Sequence, residues 1–398
     1  MVSGFWFLVL RWLRLLLLVW LLAAALTCSK PRQPGPLLIW ATLSPREAKV
    51  VQEVIADFQT ARSIPTRLEV KTEPEIETWL ASNQQEEPRP DLVTLDLDRL
   101  PALADRVQNL SPLMKHWEQS PAFSYAAWSP GTFSDHVLYL PFHLSWSAMI
   151  CNGSDLPTPP KTWDELLAAG RDHPGQIGLR ALRSEDLTRE LVPLIWQAGG
   201  DPFDFDNPGT RQAFRFLGQL APFLNLSSRS FDHDSILAAQ RNGDIILHFN
   251  NLAAAQALAQ DNLLPYPNYT ALPPAGSNGI VGLMEGTYFG VPRTAPHPQE
   301  ASQFLQDVLA PKVQVGFFEE LGWLPPLGQP QDLFGAFDQD RFHGYFDMAA
   351  ALRALPPQPH LPEIQAVWAK AWDQVVYQRL PADEVLPRLA PELKRWRR

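Results

Sequence analysis

Strand-like and helix-like segments alternate near the start of the chain, and this alternation restricts the possible folds more than any other feature of the sequence. Apolar runs predict strands, and apolar residues repeated every three or four positions predict helices. The resulting order is a strand at 37–43, a helix that ends near 60, a strand at 66–71, a helix at 75–85 and a strand at 91–96. Such an order predicts an α/β fold with a parallel sheet.

Two of the predicted helices begin with a capping box. Ser44 precedes Glu47 by three positions, and Thr162 precedes Glu165 in the same way. In this motif the hydroxyl and the carboxylate satisfy the first free N–H groups of the helix. The second box predicts a helix that ends near Gly170.

The length of the chain predicts more than one lobe. It has 398 residues, which is more than a single hydrophobic core usually spans. An apolar, aromatic segment at 137–152 is interrupted by Pro141. A strand that breaks at Pro141 and resumes at Trp146 would suit a crossing between two lobes.

Residues 1–27 have the pattern of a secretory leader, with Arg11 and Arg14 before an apolar run that is short for a transmembrane helix. Cys28 at the cleavage point resembles the bacterial lipobox, in which that cysteine is lipidated. Ala25 and Thr27 stand where the pattern prefers leucine and a small residue. An uncleaved signal anchor is the alternative. The polar, proline-rich stretch at 28–36 predicts a tether.

Charge and cysteine usage exclude some classes of function. The net charge of −10 becomes −12 without the two arginines of the leader. An acidic chain without a basic stripe is a poor ligand for nucleic acid, so no nucleic-acid partner is expected. Cys151 has no partner if Cys28 is modified, and its apolar strand predicts a buried, inert thiol.

The sequence carries no motif of a familiar enzyme class, such as a nucleophile elbow, a His-Glu-x-x-His pair or a phosphate loop. We therefore expect no enzyme, no cofactor and no metal. A secreted glycosidase remains an alternative, because 43 acidic residues supply many carboxylate pairs. The Asp232-His233-Asp234 run could suggest a metal, but a capping loop before the helix at 235 explains it more simply.

Several further stretches carry a family resemblance through their order and spacing. They lie at 90–93, 159–167, 196–201, 242–246, 289–292 and 322–325. Together with the leader and the capped helix at Ser44, they resemble the extracellular solute-binding proteins of bacterial ABC importers. The resemblance is to family 1, the maltose-binding-protein-like group of carbohydrate type, and it covers almost the whole chain after the leader.

The resemblance implies a two-lobed, periplasmic-binding-protein-like α/β fold with hinge crossings and a ligand cleft between the lobes. Crossings would lie near 141–146, 266–274 and 311–316. Lobe I would comprise 37–141 with 275–311, and lobe II 142–274 with 312–398.

The resemblance also implies a function, the capture of a sugar or oligosaccharide and its delivery to a membrane permease. The partners would be that solute, the transmembrane subunits of the permease and, through the lipid anchor, the membrane. The protein would be a monomer that faces the periplasm or the exterior. One alternative is a non-sugar polar solute, such as a polyol or glycerol phosphate. Another is a binding protein that works with a membrane sensor in place of a permease.

Polar residues at strand ends are the first candidates for the site, because ligands of such sheets bind beyond the carboxyl ends of strands. They are Ser44 and Glu47 after the first strand, Asp96, Asp98 and Arg99 after the third, and Asn250 and Asn251 after a strand at 244–249. By the resemblance, Asp98 and Arg99 match a pair that contacts sugar hydroxyls. The alternative for Asp98 and Arg99 is a solvated surface ion pair, and the alternative for Asn250 and Asn251 is a simple turn.

Aromatic platforms are the second candidates, because their flat faces bind sugar rings. They are Trp40, Phe142, Trp146, Tyr288, Trp323 and Trp368, and the acidic residues Glu185 and Glu285 are added from neighbouring segments. Trp368 matches a stacking tryptophan by the resemblance. Core packing is the alternative for Trp40, and a core stripe with Ile364 and Trp372 is the alternative for Trp368.

Overall fold

The computed structural model of the chain describes residues 35–82, 84–117, 123–260, 268–326, 339–356 and 358–397. The predicted leader and Cys28 lie outside these ranges. The strands, in chain order, are β1 (Leu37–Ala41), β2 (Thr66–Val70), β3 (Leu92–Asp96), β4 (Thr132–Phe133), β5 (His136–Val137), β6 (Tyr139–Ser145), β7 (Ala148–Asn152), β8 (Leu247–Asn250), β9 (Asn268–Ala271), β10 (Gly282–Gly290) and β11 (Leu352–Ala354).

The helices account for much of the remaining described chain. In order they are α1 (Pro45–Arg62), α2 (Glu73–Ala81), α3 (Ser111–His116), α4 (Tyr125–Trp128), α5 (Trp163–Asp172), α6 (Ser184–Gln197), α7 (Pro208–Leu220), α8 (His233–Arg241), α9 (Leu252–Gln260), α10 (Pro298–Val308), α11 (Pro311–Leu321), α12 (Gln339–Met348), α13 (Leu361–Trp372) and α14 (Ala382–Trp396). A π-helical turn at Asp373–Tyr377 continues α13.

The larger sheet has the strand order β11-β10-β3-β1-β2, and β6 also pairs with β10. β1 lies parallel to β2 and β3, as the alternating sequence predicts. All five residues of β1 are buried, which is typical of a parallel strand covered on both faces. β10 runs antiparallel to β3 and β6, so the complete sheet is mixed. The carboxyl ends of β1 and β3 meet at one edge.

The smaller sheet is antiparallel, with the order β8-β7-β9. Residues 176–182 lie beside this sheet without forming a strand, and Ile177 makes isolated bridges to Leu224 and Leu247. Gly178 N still donates to Leu247 O at 2.8 Å, but the following two backbone N–H groups bond to side chains. Leu179 N donates to Ser228 Oγ at 3.4 Å and Arg180 N to Glu190 Oε1 at 3.4 Å.

Each sheet has its own hydrophobic core. Ile39 of β1 packs in one cluster with Phe58, Phe304 and Phe317 of the helices around the larger sheet. The other cluster joins the smaller sheet to α5, α6, α7, α13 and α14. A third cluster, which contains Trp40, Trp146 and Tyr345, extends across residues of both sheets.

The chain passes between the sheets at 146–147, after β6, and at 272–281, between β9 and β10. Both passages lie at or next to predicted crossings. The predicted crossing at 311–316 instead falls inside α11, whose Phe317 and Leu321 pack with Phe58 of α1. Because apolar burial ties α11 to the larger sheet, we propose that lobe I extends to 326. The chain from α12 onward would then belong to lobe II, apart from β11, which pairs with β10 of the larger sheet.

The capping box at Ser44 is complete. Ser44 Oγ accepts from Glu47 N, and Glu47 Oε2 accepts from Ser44 N at 2.7 Å. At the second box Thr162 Oγ1 accepts from Glu165 N at 3.2 Å, but the Glu165 carboxylate accepts from Lys161 N instead of Thr162 N. Among the described residues, no helix is long and apolar enough to cross a membrane.

Candidate ligand-binding cleft

Four carboxylates lie together where β3 ends, and we call Glu73, Glu77, Asp96 and Asp98 the carboxylate cluster. Asp96 and Asp98 follow the buried part of β3, and Glu73 and Glu77 lie one turn apart on α2. Arg99 Nε lies 3.1 Å from Glu77 Oε1 and 3.7 Å from Asp98 Oδ2. One guanidinium therefore faces several negative charges.

Crowding in the carboxylate cluster changes proton affinities. Burial, together with the charges of Asp96, Asp98 and Glu77, raises the pKa of Glu73 to about 8 in spite of Arg99. Asp96 is open to solvent on one side and accepts from Thr287 Oγ1 at 3.0 Å. Surrounding protein atoms and neighbouring carboxylates nevertheless raise the pKa of Asp96 to about 6. Carboxylates with perturbed pKa values of this kind cluster at functional sites.

An arginine that the sequence did not single out faces this cluster from the other lobe. Arg189 of α6 donates from Nε to both carboxylate oxygens of Glu285 on β10, at 2.8 Å each. Its Nη1 lies 3.3 Å from Asp186 Oδ1. The Arg189 charge lowers the pKa of Asp96 and Asp98, whereas the Glu285 charge raises it. Glu285, one of the predicted site residues, thus lies near the carboxylate cluster and is paired with Arg189, which sequence reasoning did not single out.

Asn250 lies in a buried polar network behind Asp186 and does not face the cleft. Its Oδ1 accepts from Arg180 Nη1 at 3.2 Å, and Arg180 Nε donates to Glu190 Oε1 at 3.1 Å. Asn250 and Arg180 are buried. Asn251 accepts from Ala254 N at 3.1 Å and starts α9. For both asparagines the structure therefore favours a structural role.

Ser44, Glu47 and Trp323 form one group near the end of β1. Glu47 Oε1 accepts from Trp323 Nε1 at 3.1 Å. The Trp323 ring stacks on His143 with centroids 4.1 Å apart, and burial lowers the pKa of His143 to about 4. Trp323 is itself 7% exposed. Helix capping and packing therefore occupy the polar groups of these three residues.

The other predicted aromatic platforms are buried, which corrects the expectation of open ring faces. Their exposed fractions are 6% for Trp40, 1% for Phe142, 4% for Trp146, 0% for Tyr288 and 0% for Trp368. Trp368 Nε1 donates to Pro202 O at 2.8 Å, and Trp146 Nε1 to Tyr345 O at 2.9 Å. Apolar burial against neighbouring helices decides their position, so the core alternative holds in this structure. The side chain of Glu185 and the predicted lipidation site Cys28 lie outside the described parts.

A pocket opens beside Arg189 and Glu285, and we call it the lobe II pocket. Its cavity volume is only about 40 Å³. Trp163, Phe216 and Phe249 line it together with aliphatic side chains and prolines. The Trp163 and Phe216 rings are stacked, with centroids 4.2 Å apart. Trp163 is buried, so this wall belongs largely to the hydrophobic core of lobe II.

The described residues contain no group of three or more His, Cys, Asp or Glu side chains that could hold a metal ion. The Asp232-His233-Asp234 run begins α8, where Asp232 Oδ1 accepts from Ser235 N at 3.0 Å. Cys151 is buried, and burial raises the pKa of its thiol to about 12. The reactive form of cysteine is the thiolate, so a thiol with this raised pKa is inert.

Comparison with known proteins identifies the class. Residues 53–332 match the family of bacterial extracellular solute-binding proteins, and the chain belongs to this family. Among curated proteins, no sequence matches the chain significantly.

Solved structures of sugar-binding proteins have the same fold. Maltose-bound MalE3 of T. maritima is 16% identical over 90% of this chain and 99% of its own, with a TM-score of 0.77. The sugar-binding protein MalE of Xanthomonas citri is 17% identical over 91% and 98%, with a TM-score of 0.75. The cyclic α-maltosyl-1,6-maltose binding protein of Arthrobacter globiformis is 19% identical over 91% and 98%, with a TM-score of 0.74. The predicted two-lobed fold is thereby confirmed.

Proposed function

We propose that the chain is the substrate-binding component of an ABC importer and that it captures a sugar or oligosaccharide in the cleft between its lobes. One observation carries the proposal. Arg189 of lobe II pairs with Glu285 of β10, and Thr287 of the same strand donates to Asp96 of the carboxylate cluster at 3.0 Å. Both lobes therefore supply charged groups near the carboxyl end of β3, where α/β sheets bind ligands. Carboxylates accept hydrogen bonds from sugar hydroxyls, and guanidinium groups donate to them.

The chemistry of the cluster favours a sugar over a phosphorylated metabolite. Desolvation and mutual repulsion already raise the pKa values of Glu73, Asp96 and Asp98. A phosphate group would add negative charge beside them, and like charges at short range repel. Neutral hydroxyl groups would instead donate to these oxygens. Related structures support this choice, since T. maritima MalE3 holds maltose and a Thermotoga lettingae solute-binding protein holds α-D-tagatose.

Binding would shift the protein towards a closed form. Only closure lets a ligand contact Asp98 of lobe I and Arg189 of lobe II at once, so its binding energy favours the closed state. The closed, loaded form would then dock on the permease. The protein would act as a binding protein and not as an enzyme, because the paired acidic groups of the cleft are engaged by arginines.

The predicted leader supports a location at the membrane. Lipidation at Cys28 would anchor the protein to the membrane as a monomer, with the lobes in the periplasm or at the exterior. The tether at 28–36 would give the lobes freedom to reach a permease.

A thermal-shift screen of sugars, polyols and phosphorylated metabolites tests the proposal. Ligands that bind the folded state raise the melting temperature in proportion to the logarithm of their concentration. We expect the shift from one or more sugars. A shift from a phosphorylated metabolite or polyol without a shift from any sugar would contradict the carbohydrate assignment.

A further inference from the structure

The first crossing between the lobes, after β6, alternates buried and partly exposed residues. Leu144, Trp146 and Ala148 are buried, whereas Ser145 and Ser147 are half-buried. Trp146 Nε1 donates to a backbone carbonyl of α12 at 2.9 Å, which fixes the indole on the inner side. In an extended chain, neighbouring side chains point to opposite sides. The two serine hydroxyls therefore face away from the core that holds Trp146.

Strand register places Ser145 on the same face of the larger sheet as the carboxylate cluster. Ser145 of β6 pairs with Glu285 of β10, and directly opposite residues of antiparallel strands share a face. Thr287 lies two positions further along β10, so its side chain points to that face as well. It pairs with Asp96 in the register of β10 and β3, and its hydroxyl donates to the Asp96 carboxylate at 3.0 Å. Ser145 and the carboxylate cluster therefore belong to one polar surface.

Ser147 reaches the same place from the far end of the crossing. It lines the small lobe II pocket together with Arg189 and Glu285. Arg189 and Glu285 are paired at 2.8 Å, and both side chains are partly exposed. Both serines therefore lie next to the ion pair that connects the two lobes.

The two serine hydroxyls are available for a ligand. Within the described ranges, neither hydroxyl has a hydrogen-bond partner, and neither is among the buried polar atoms that lack one. Both oxygens are therefore open to solvent. A serine hydroxyl donates one hydrogen bond and accepts others, as the hydroxyl groups of a sugar do.

We propose that Ser145 and Ser147 contact the ligand and determine specificity, because they exchange hydrogen bonds with neighbouring hydroxyl groups of a bound sugar. The sugar part of this assignment rests on the proposed function. The position of the two serines at the open floor of the cleft rests on strand register and burial alone. A ligand that lacks the matching hydroxyl leaves a serine unpaired when the lobes close, and its affinity is lower for that reason.

Thiol labelling tests the position of the serines without any ligand. Ser145→Cys and Ser147→Cys are made in the chain without its leader, with Cys28→Ala to remove the thiol of the tether. Cys151 is buried and should not react. We expect a small methanethiosulfonate reagent to label both new cysteines. Ala148→Cys is the matched control, because Ala148 is a neighbour in the chain but is fully buried, and it should react at least about tenfold more slowly.

Calorimetry with each sugar that shifts the melting temperature tests the contact itself. Ser145→Ala and Ser147→Ala should each bind the sugar about three- to tenfold more weakly than wild type, because each loses one hydrogen bond. Ser154→Ala, at an exposed serine after β7, should bind as wild type does. Deoxy analogues of the sugar identify the paired hydroxyl. The analogue that binds wild type more weakly should bind the matching alanine variant without further loss.

The possible results separate this proposal from the proposed function. Failure of every sugar to bind would contradict the proposed function, whereas rapid labelling at positions 145 and 147 would still support the open position of the two serines. Labelling as slow as that of Ala148→Cys would overturn that position. Sugar binding with equal affinity in wild type and both alanine variants would support the proposed function and overturn the contact with the serines.

Discussion

Arg189 on α6 donates from one nitrogen to both carboxylate oxygens of Glu285 on β10, at 2.8 Å each, and so connects a helix of lobe II to the larger sheet. The two residues are 96 positions apart in the chain. The contact lies within electrostatic reach of Asp96 and Asp98. We propose that a bound ligand contacts both lobes at this place.

Replacement of this arginine tests the contact. Arg189→Gln should reduce affinity for the identified ligand by about tenfold or more, because a charged donor is lost and Glu285 is left unpaired. The free energy of unfolding should fall by about 1–2 kcal/mol. Calorimetry and urea denaturation measure the two effects.

Arg215→Gln is the matched control for that variant. Arg215 pairs with Asp383 at 2.7 Å, but both side chains are about half exposed. Exposed pairs contribute little, so stability and affinity should stay close to wild type. Equal affinities for wild type and Arg189→Gln would remove Arg189 from the site.

The sequence could predict the parts of this arrangement that depend on local pattern. The strand–helix order at the start, the cap at Ser44 and the carboxylates after β3 follow from periodicity and side-chain chemistry. The Arg189–Glu285 pair could not be predicted, because it depends on how α6 and β10 pack. The role of Trp368 could not be predicted from the sequence either. A tryptophan at helical spacing from Ile364 and Trp372 fits a core stripe and a sugar platform equally well, and only the packing of α13 decides.

The pH dependence of stability tests the crowding of the carboxylates. Burial and neighbouring negative charges raise the pKa of Glu73 to about 8. A raised carboxyl pKa contributes stability at low pH, and this contribution is lost as the pH rises through the folded-state pKa. Wild type should therefore lose stability between pH 5 and 8 relative to Glu73→Gln, as measured by urea denaturation across that range.

Glu53→Gln serves as the control for the pH series, because Glu53 is an exposed glutamate on α1. Its difference from wild type should stay constant across the range. A difference between Glu73→Gln and wild type that is also independent of pH would contradict the raised pKa.

Trp368→Ala tests the burial of the tryptophan that the family resemblance suggested as a stacking platform. The indole is fully buried and donates to Pro202 O. Loss of a buried aromatic side chain should lower the free energy of unfolding by about 3–5 kcal/mol. Trp396→Ala, at the partly buried end of α14, should cost less. An unchanged stability of Trp368→Ala together with loss of ligand binding would restore the stacking role.

Cys28→Ala tests the anchor. We expect wild type in membranes of a bacterial host to incorporate labelled fatty acid and the variant to lose the label, because the thiol of Cys28 would be the site of lipidation. Cys151→Ala is the control, since Cys151 is buried with a raised thiol pKa and should not affect labelling. Equal labelling of wild type and Cys28→Ala would contradict lipidation at Cys28.

The most direct test of the account is a calorimetric titration of wild type and Asp98→Asn, with the sugars that shift the melting temperature. Asp98 lies in the carboxylate cluster, where burial raises its pKa, so removal of its charge should not lower stability. The account predicts saturable binding of a sugar to wild type and affinity reduced by about tenfold or more in a stably folded Asp98→Asn. Equal sugar affinity in the two proteins would contradict the placement of the ligand at the carboxylate cluster.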